Sequence, residues 1–227
     1  MSEPFKTLVR DAYPFGVLVA VELPDVREGV HEEALRQLHP GERAVAEHMH
    51  GHRQVSWVGG RLAIRRALKI LGQKSPAVIG GPHGEPVLPG GFTGSISHKK
   101  DMAIALVARA VNGTVGVDLE IPSSTPRNVG EKVLRTEELE WVNSLPQERH
   151  WPATLVLFSM KEAIYKALFP HVKRYVGFHE ASVKLDVNGP SEVTLFLEGD
   201  EGPFSAEARV HWIGDRVVST ARVLRAK

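Results

Sequence analysis

Apolar residues recur along this chain at two periods, and the switches between them divide it into predicted strands and helices. The unbroken run from Gly16 to Leu23 reads as a buried strand, too short for a helix and apolar on both faces. Glu32 to Leu38 reads as a short helix and Pro40 restarts another toward Met49. Val55 to Leu71 carries a sustained helical stripe that stops at Gly72. Strands are expected around Ser95 to His98 and Met102 to Arg109. Asn112-Gly113 is a strong turn signal, and Val115 to Glu120 returns to a strand, closed by Pro122, which cannot donate to a ladder. Helices near Val129 to Leu134 and Glu137 to Ser144 precede a long one. That helix is expected to open at His150-Trp151-Pro152, with proline in a first turn that tolerates it, and to bury Leu155, Phe158, Ala163, Ala167 and Leu168. Four strands finish the chain, near Ala181 to Val187, Glu192 to Leu197, Ala206 to Trp212 and Arg216 to Leu224.

Each half therefore reads as a strand, helices and further strands, and the expected boundary separates residues 1–112 from 113–227. The long helices place Gly60-Arg61-Leu62-Ala63-Ile64 and Met160-Lys161-Glu162-Ala163-Ile164 in similar positions. This faint self-similarity fits an α+β fold of two similar α/β subdomains, although identity between the halves is too low to prove duplication.

The candidate chemistry sits in two short segments. In Gly116-Val117-Asp118-Leu119-Glu120, strand alternation puts Asp118 and Glu120 on one face, about 7 Å apart along the backbone. Two flexible carboxylates can converge on one ion from there, and an all-oxygen set suits Mg²⁺ or Mn²⁺ better than zinc. The plainer reading is a solvated Asp-x-Glu at a strand end. In Phe158-Ser159-Met160-Lys161-Glu162-Ala163-Ile164-Tyr165-Lys166, Glu162 and Lys166 lie one helical turn apart, which by itself describes an ordinary surface pair worth about 0.3 kcal/mol. Lys161 adds a second cation beside a third potential metal ligand.

With Gly84-Glu85-Pro86 and Gly94-Ser95-Ile96-Ser97-His98 preceding them, these segments resemble, in order and spacing, the signature motifs of the Sfp-type 4′-phosphopantetheinyl transferases, particularly the branch similar to enterobactin synthase component D. The resemblance covers residues ~53 to ~168. It implies a pseudo-twofold pair of α/β subdomains with the active site in the cleft between them. It also implies transfer of the 4′-phosphopantetheine arm of coenzyme A to a serine of an apo acyl, aryl or peptidyl carrier protein. Carried over residue by residue, it makes Asp118, Glu120 and Glu162 the metal ligands and Lys161 and Lys166 the cations beside the pyrophosphate. Glu162 becomes the candidate general base, and Arg53, Arg61, Ser97 and His98 the contacts to the nucleotide and phosphates.

Arg53 and Arg61 are about 80° apart around a helix, close enough for long side chains to reach one anion, whereas Arg65, Arg66 and Lys69 read as a basic solvated face. The chain departs from the best-studied branch at Glu85, where that branch has a lysine. An acid would repel a phosphate, so Glu85 is left out of the binding set and His83 is noted instead. The acceptor surface is expected around Met102, the segment Thr125 to Val129 and the helix that follows. His48 and His52 could share a helix face, but no matching acid or cysteine suggests a structural metal. Asn112-Gly113-Thr114 reads as a turn rather than a glycosylation acceptor.

Bulk composition adds exclusions. The chain has 227 residues, 42% hydrophobic, with a formal net charge of +1, which argues against a general nucleic-acid binder while leaving room for a local positive patch. It has no cysteine, so disulfides and thiolate ligands are ruled out. The only early apolar run, Gly16 to Val21, is too short to span a bilayer, and a monomer in the cytoplasm is expected. Two rival readings use the same residues. A metal-dependent phosphohydrolase or nucleotidyl transferase would need the three acids but not Ser97, His98 and the paired arginines. A non-catalytic scaffold binding coenzyme A and a carrier would have no need of an intact Asp118, Glu120, Glu162 and Lys166.

Overall fold

In the computed structural model, residues 5–25, 27, 29–74, 77–122, 129–199 and 201–226 are described; most of the Thr125 to Val129 segment expected at the acceptor surface lies outside them. The chain divides into two compact units, Met1–Asn112 and Gly113–Lys227. No helix among the described residues is long and apolar enough to cross a membrane.

Unit 1 is built on a four-stranded antiparallel sheet, β1 (Thr7–Tyr13), β2 (Gly16–Glu22), β6 (Met102–Arg109) and β5 (Phe92–Lys99), in that spatial order. Helices α1 (Glu32–Arg36), α2 (Pro40–Glu47) and α3 (Gly51–Ile70) lie between β2 and a small ladder of β3 (Ile79–Gly80) with β4 (Pro86–Val87). Val17, Val19 and Val21 of β2 and Ala103, Ala105 and Val107 of β6 form one core with Val55, Val58, Leu62 and Ile64 of α3. Strand β6 is buried on both faces, as its uninterrupted apolar sequence requires. Strand β1 escapes the hydrophobic pattern because Arg10 and Asp11 interrupt it; as an edge strand it needs only one buried side.

Unit 2 carries a five-stranded antiparallel sheet in the order β7 (Thr114–Glu120), β11 (Arg216–Arg225), β10 (Phe204–Ile213), β9 (Ser191–Leu195) and β8 (Ala181–Lys184). Helices α4 (Gly130–Val133), α5 (Thr136–Ser144) and α6 (Gln147–Val172) intervene between β7 and β8. The core joins Leu157, Met160, Ile164 and Leu168 of α6 to Val217, Ala221 and Val223 of β11. Helix α6 begins at Gln147 rather than at Trp151, so Pro152 stands inside it, as does Pro170 near its end. Burial of the long apolar face outweighs the hydrogen bonds that the two prolines omit. The helix stops at Lys173, whose φ of 54° is left-handed.

One device fastens both units. In α2, Glu42 is fully buried; its Oε2 accepts from the backbone N–H of His39 (2.8 Å), its Oε1 from that of Val78 (2.7 Å), and Arg65 of α3 pairs with it at 3.3 Å. In α5, Glu138 is 3% exposed, and its oxygens accept from the N–H groups of Arg135 (2.7 Å) and Val183 (2.7 Å), while Lys161 of α6 pairs with it at 2.6 Å. Each carboxylate sits at the third helical position, closes its helix start, ties down a strand or loop that follows the long helix, and neutralises a cation from that helix. Removing one partner of such a buried pair strands the other. Glu138→Ala is therefore expected to lower unfolding free energy by about 3–5 kcal/mol in urea titrations, whereas loss of the rim pair Glu207–Arg222 through Glu207→Ala costs under about 1 kcal/mol.

Candidate active site

Among the described residues strand β7 is the edge of its sheet, paired only with β11, and α6 packs across it. The two backbones meet at Gly116, where a Cβ would overlap the carbonyl oxygen of Ala163 and lie 2.8 Å from the amide nitrogen of Ala167. Only glycine admits the helix backbone at this distance. The close approach lets Thr114 Oγ1 donate to Ala167 O at 2.6 Å, and it delivers two α6 side chains to Asp118. Lys166 Nζ donates to Asp118 Oδ1 at 2.7 Å and to Val117 O at 3.1 Å, while Ser159 Oγ donates to Asp118 Oδ2 at 3.0 Å. Asp118 is 5% exposed, so its charge is compensated within the protein rather than by water.

Ser159, Glu162 and Lys166 follow an i, i+3, i+7 spacing and share one stripe of α6, within about 60° of one another. Glu162 thus starts from the helical stripe that faces Asp118. Glu162 and Glu120 are both half-buried. Directly across the ladder from Asp118 stands Ser219 of β11, fully buried with its hydroxyl unpartnered. Sequence reasoning misses Ser159, Ser219 and the role of Gly116. Ser159 was findable as the residue one turn before Glu162, while Ser219 depends on a strand pairing that no local motif announces.

The donor set fits a hard divalent cation in chemistry, being three carboxylates with oxygen donors throughout. As the side chains stand, no three histidine, aspartate or glutamate groups among the described residues are gathered closely enough to hold an ion. What the fold has assembled is the Asp118–Lys166–Ser159 grip.

Lys161 corrects an expectation. Instead of standing beside a pyrophosphate, its side chain is 1% exposed and its ammonium donates to Glu138, to Val133 O (2.9 Å) and to Phe178 O (2.9 Å), which uses all three of its hydrogens. Burial lowers its pKa, and Glu138 opposes that shift. The physical reason is angular: residue 161 lies about 100° around the helix from Glu162 and so faces the interior of unit 2.

In unit 1 the predicted cations separate. Arg53 lies exposed in the first turn of α3. Arg61 is 4% exposed, stacks over Trp57 with its guanidinium carbon 4.5 Å from the ring centroid, and keeps a buried Nε without a hydrogen-bond partner. Burial pulls its pKa down to about 10, countered by Glu42. It remains a cation at neutral pH, held in a dry setting where an incoming anion would be strongly attracted. Ser97 is buried and His98 exposed, as strand alternation dictates for neighbours on β5. Arg65 and Arg66 are not a solvated face: Arg65 pairs with Glu42, and Arg66 donates to Phe5 O and to Thr7 Oγ1. His48 ends α2 while His52 lies in α3, so they share no helix face.

Comparison with known proteins finds matches in both halves of the chain. Residues 114–221 match the 4′-phosphopantetheinyl transferase superfamily, and residues 41–108 match the 4′-phosphopantetheinyl transferase N-terminal domain. The chain is 32% identical over 183 residues to 4′-phosphopantetheinyl transferase PptT of Mycobacterium tuberculosis, covering 76% of this chain and 79% of that one. It is 30% identical over 173 residues to the transferase Npt of Nocardia iowensis, covering 76% and 75%. Enterobactin synthase component D of Salmonella typhi matches at 32% over 158 residues, 67% of this chain and 59% of its own. A solved structure of Thermotoga maritima holo-[acyl-carrier-protein] synthase aligns with 50% of this chain and 64% of its own at a TM-score of 0.40 and 22% identity. The chain belongs to the 4′-phosphopantetheinyl transferase superfamily.

Proposed function

We propose that this chain moves the 4′-phosphopantetheine arm of coenzyme A onto a serine hydroxyl of an apo carrier protein, with the acids of unit 2 as its reaction centre. The observation that carries the reading is the grip on Asp118, which places a neutralised carboxylate, a lysine and the Glu162 stripe of α6 at one edge of the sheet. In the reaction the acceptor oxygen attacks the phosphorus attached to pantetheine. The bond from that phosphorus to the bridging oxygen breaks, and adenosine 3′,5′-bisphosphate leaves.

A Mg²⁺ or Mn²⁺ ion held by Asp118, Glu120 and Glu162 would supply positive charge where the diphosphate oxygens become more negative. Lys166, fixed by Asp118 and Val117 O, adds a second positive charge at that place. Glu162 takes the serine proton, directly or through a water. Arg61 supplies a buried cation for a coenzyme phosphate, with Arg53, Ser97 and His98 as further contacts. Lys161 positions α6 from the interior and touches no substrate.

Three outcomes test this reading. Incubated with coenzyme A, Mg²⁺ and a panel of apo carrier proteins, the enzyme is expected to add one phosphopantetheine mass to a single carrier serine by intact mass spectrometry, and chelation should stop it. Free nucleotide without modified carrier would instead support a hydrolase. Glu162→Gln is expected to lower single-turnover transfer by about 10²- to 10⁴-fold with much smaller loss of coenzyme A affinity; unchanged chemistry would remove Glu162 as the base. Arg61→Met relieves a buried, partly unsatisfied cation. It is expected to raise unfolding free energy by about 1–3 kcal/mol while weakening coenzyme A binding by calorimetry.

A further inference from the structure

Glu85 stands where the best-studied branch of the family has a lysine, yet its carboxylate is directed into its own turn. The ladder of β3 and β4 has only two register pairs, Ile79 with Val87 and Gly80 with Pro86, and the side chains of Ile79 and Val87 are exposed. So small a two-stranded ladder is marginal without added fastening. Backbone bonds close part of the turn: Gly81 N donates to Glu85 O at 2.7 Å and Gly84 N to Gly81 O at 3.0 Å. Glu85 supplies the rest, since its Oε2 accepts from His83 N at 3.0 Å. The carboxylate lies flat on the α-carbon of Gly81, where a Cβ would overlap Glu85 Cδ and Oε1 and lie 2.7 Å from Oε2. Gly81 and Glu85 thus form a clip that each needs the other to make.

The clip borders the nucleotide cation. A Cβ added to the neighbouring Gly80 would lie 3.7 Å from Arg61 Nη2, so the backbone of β3 passes beside the guanidinium and forms part of its wall. Arg61 owes its strength toward an anion to being dry, and water entering beside it would screen that attraction. We propose that Glu85 is a positioning residue for coenzyme A: by clipping the β3–β4 turn over Gly81 it keeps the wall beside Arg61 closed. Its negative charge is spent on the amide of His83 rather than set against the phosphate. The inference rests on the transferase reading only in naming coenzyme A as the anion.

The test uses the full chain as wild type, Glu85→Ala, Glu85→Gln, Gly81→Ala and the double variant Gly81→Ala/Glu85→Ala. Calorimetric coenzyme A affinity and separate KM values for coenzyme A and carrier are measured. Glu85→Ala is expected to weaken coenzyme A binding and raise its KM about fivefold, the loss of one charge-assisted hydrogen bond, with kcat and the carrier KM within about twofold. Glu85→Gln keeps an acceptor for His83 N and should stay near wild type. Gly81→Ala should match Glu85→Ala, and the double variant should be no worse than either single one, because the atoms nearest the added methyl are those of the Glu85 carboxylate. Unchanged affinity in Glu85→Ala, tighter binding in that variant, or additive losses in the double variant would each overturn the proposal. A wild type that binds coenzyme A but modifies no carrier would count against the transferase reading and leave the calorimetric comparison to judge the clip.

Discussion

The geometry of the acid site depends on how near the backbone of α6 comes to β7. At Gly116 a strand and a helix meet with no side chain between them, and the carbonyl of Ala163 takes up the space that any Cβ would need. That contact fixes both the height and the rotation of α6 over the strand. Ser159 and Lys166 therefore reach Asp118 from either side, and Glu162 stands between them on the same stripe. The same rotation turns Lys161 toward Glu138. Two lysines five residues apart in one motif are thus given opposite tasks by a single packing decision.

The two units solve one structural problem in the same way. A long central helix must be held in register against short preceding helices and the strand or loop that follows it. In each unit a buried glutamate at the third position of the shorter helix does this, Glu42 in unit 1 and Glu138 in unit 2. A buried charge is costly unless paired and hydrogen-bonded, and both are. Their shared logic extends the likeness of the halves from element order to individual contacts, beyond what sequence identity between them reveals.

Buried charge is handled in two ways. Glu138, Lys161 and Asp118 are compensated inside the fold, whereas Arg61 is buried beside an aromatic ring with one nitrogen unpartnered and its pKa drawn down. A fold optimised for stability alone would not keep that cation. Functional sites commonly carry such locally unfavourable groups, and the rest of the core, with its well-packed aliphatic clusters, is what makes the cost tolerable.

Much of this was legible in the chain itself. Helical periodicity located α3 and the body of α6, apolar runs located β2, β6 and β7, and the Asn112-Gly113 turn lies where the two units divide. The motif spacing of Gly116-to-Glu120 and Met160-to-Lys166 indicated the family before any fold was considered. Strand β1 and the start of α6 were not legible, because an edge strand tolerates charge and a well-buried helix tolerates proline. Residue types and their spacing, which are local properties, determined what chemistry the protein could perform. Which lysine faces the acids, which arginine is left dry and which serine stands opposite Asp118 were decided only by the tertiary structure. Those outcomes depend on helix rotation and strand register, set by contacts between residues far apart in the chain, 41 positions for Ser159 with Asp118 and 28 for Lys161 with Val133.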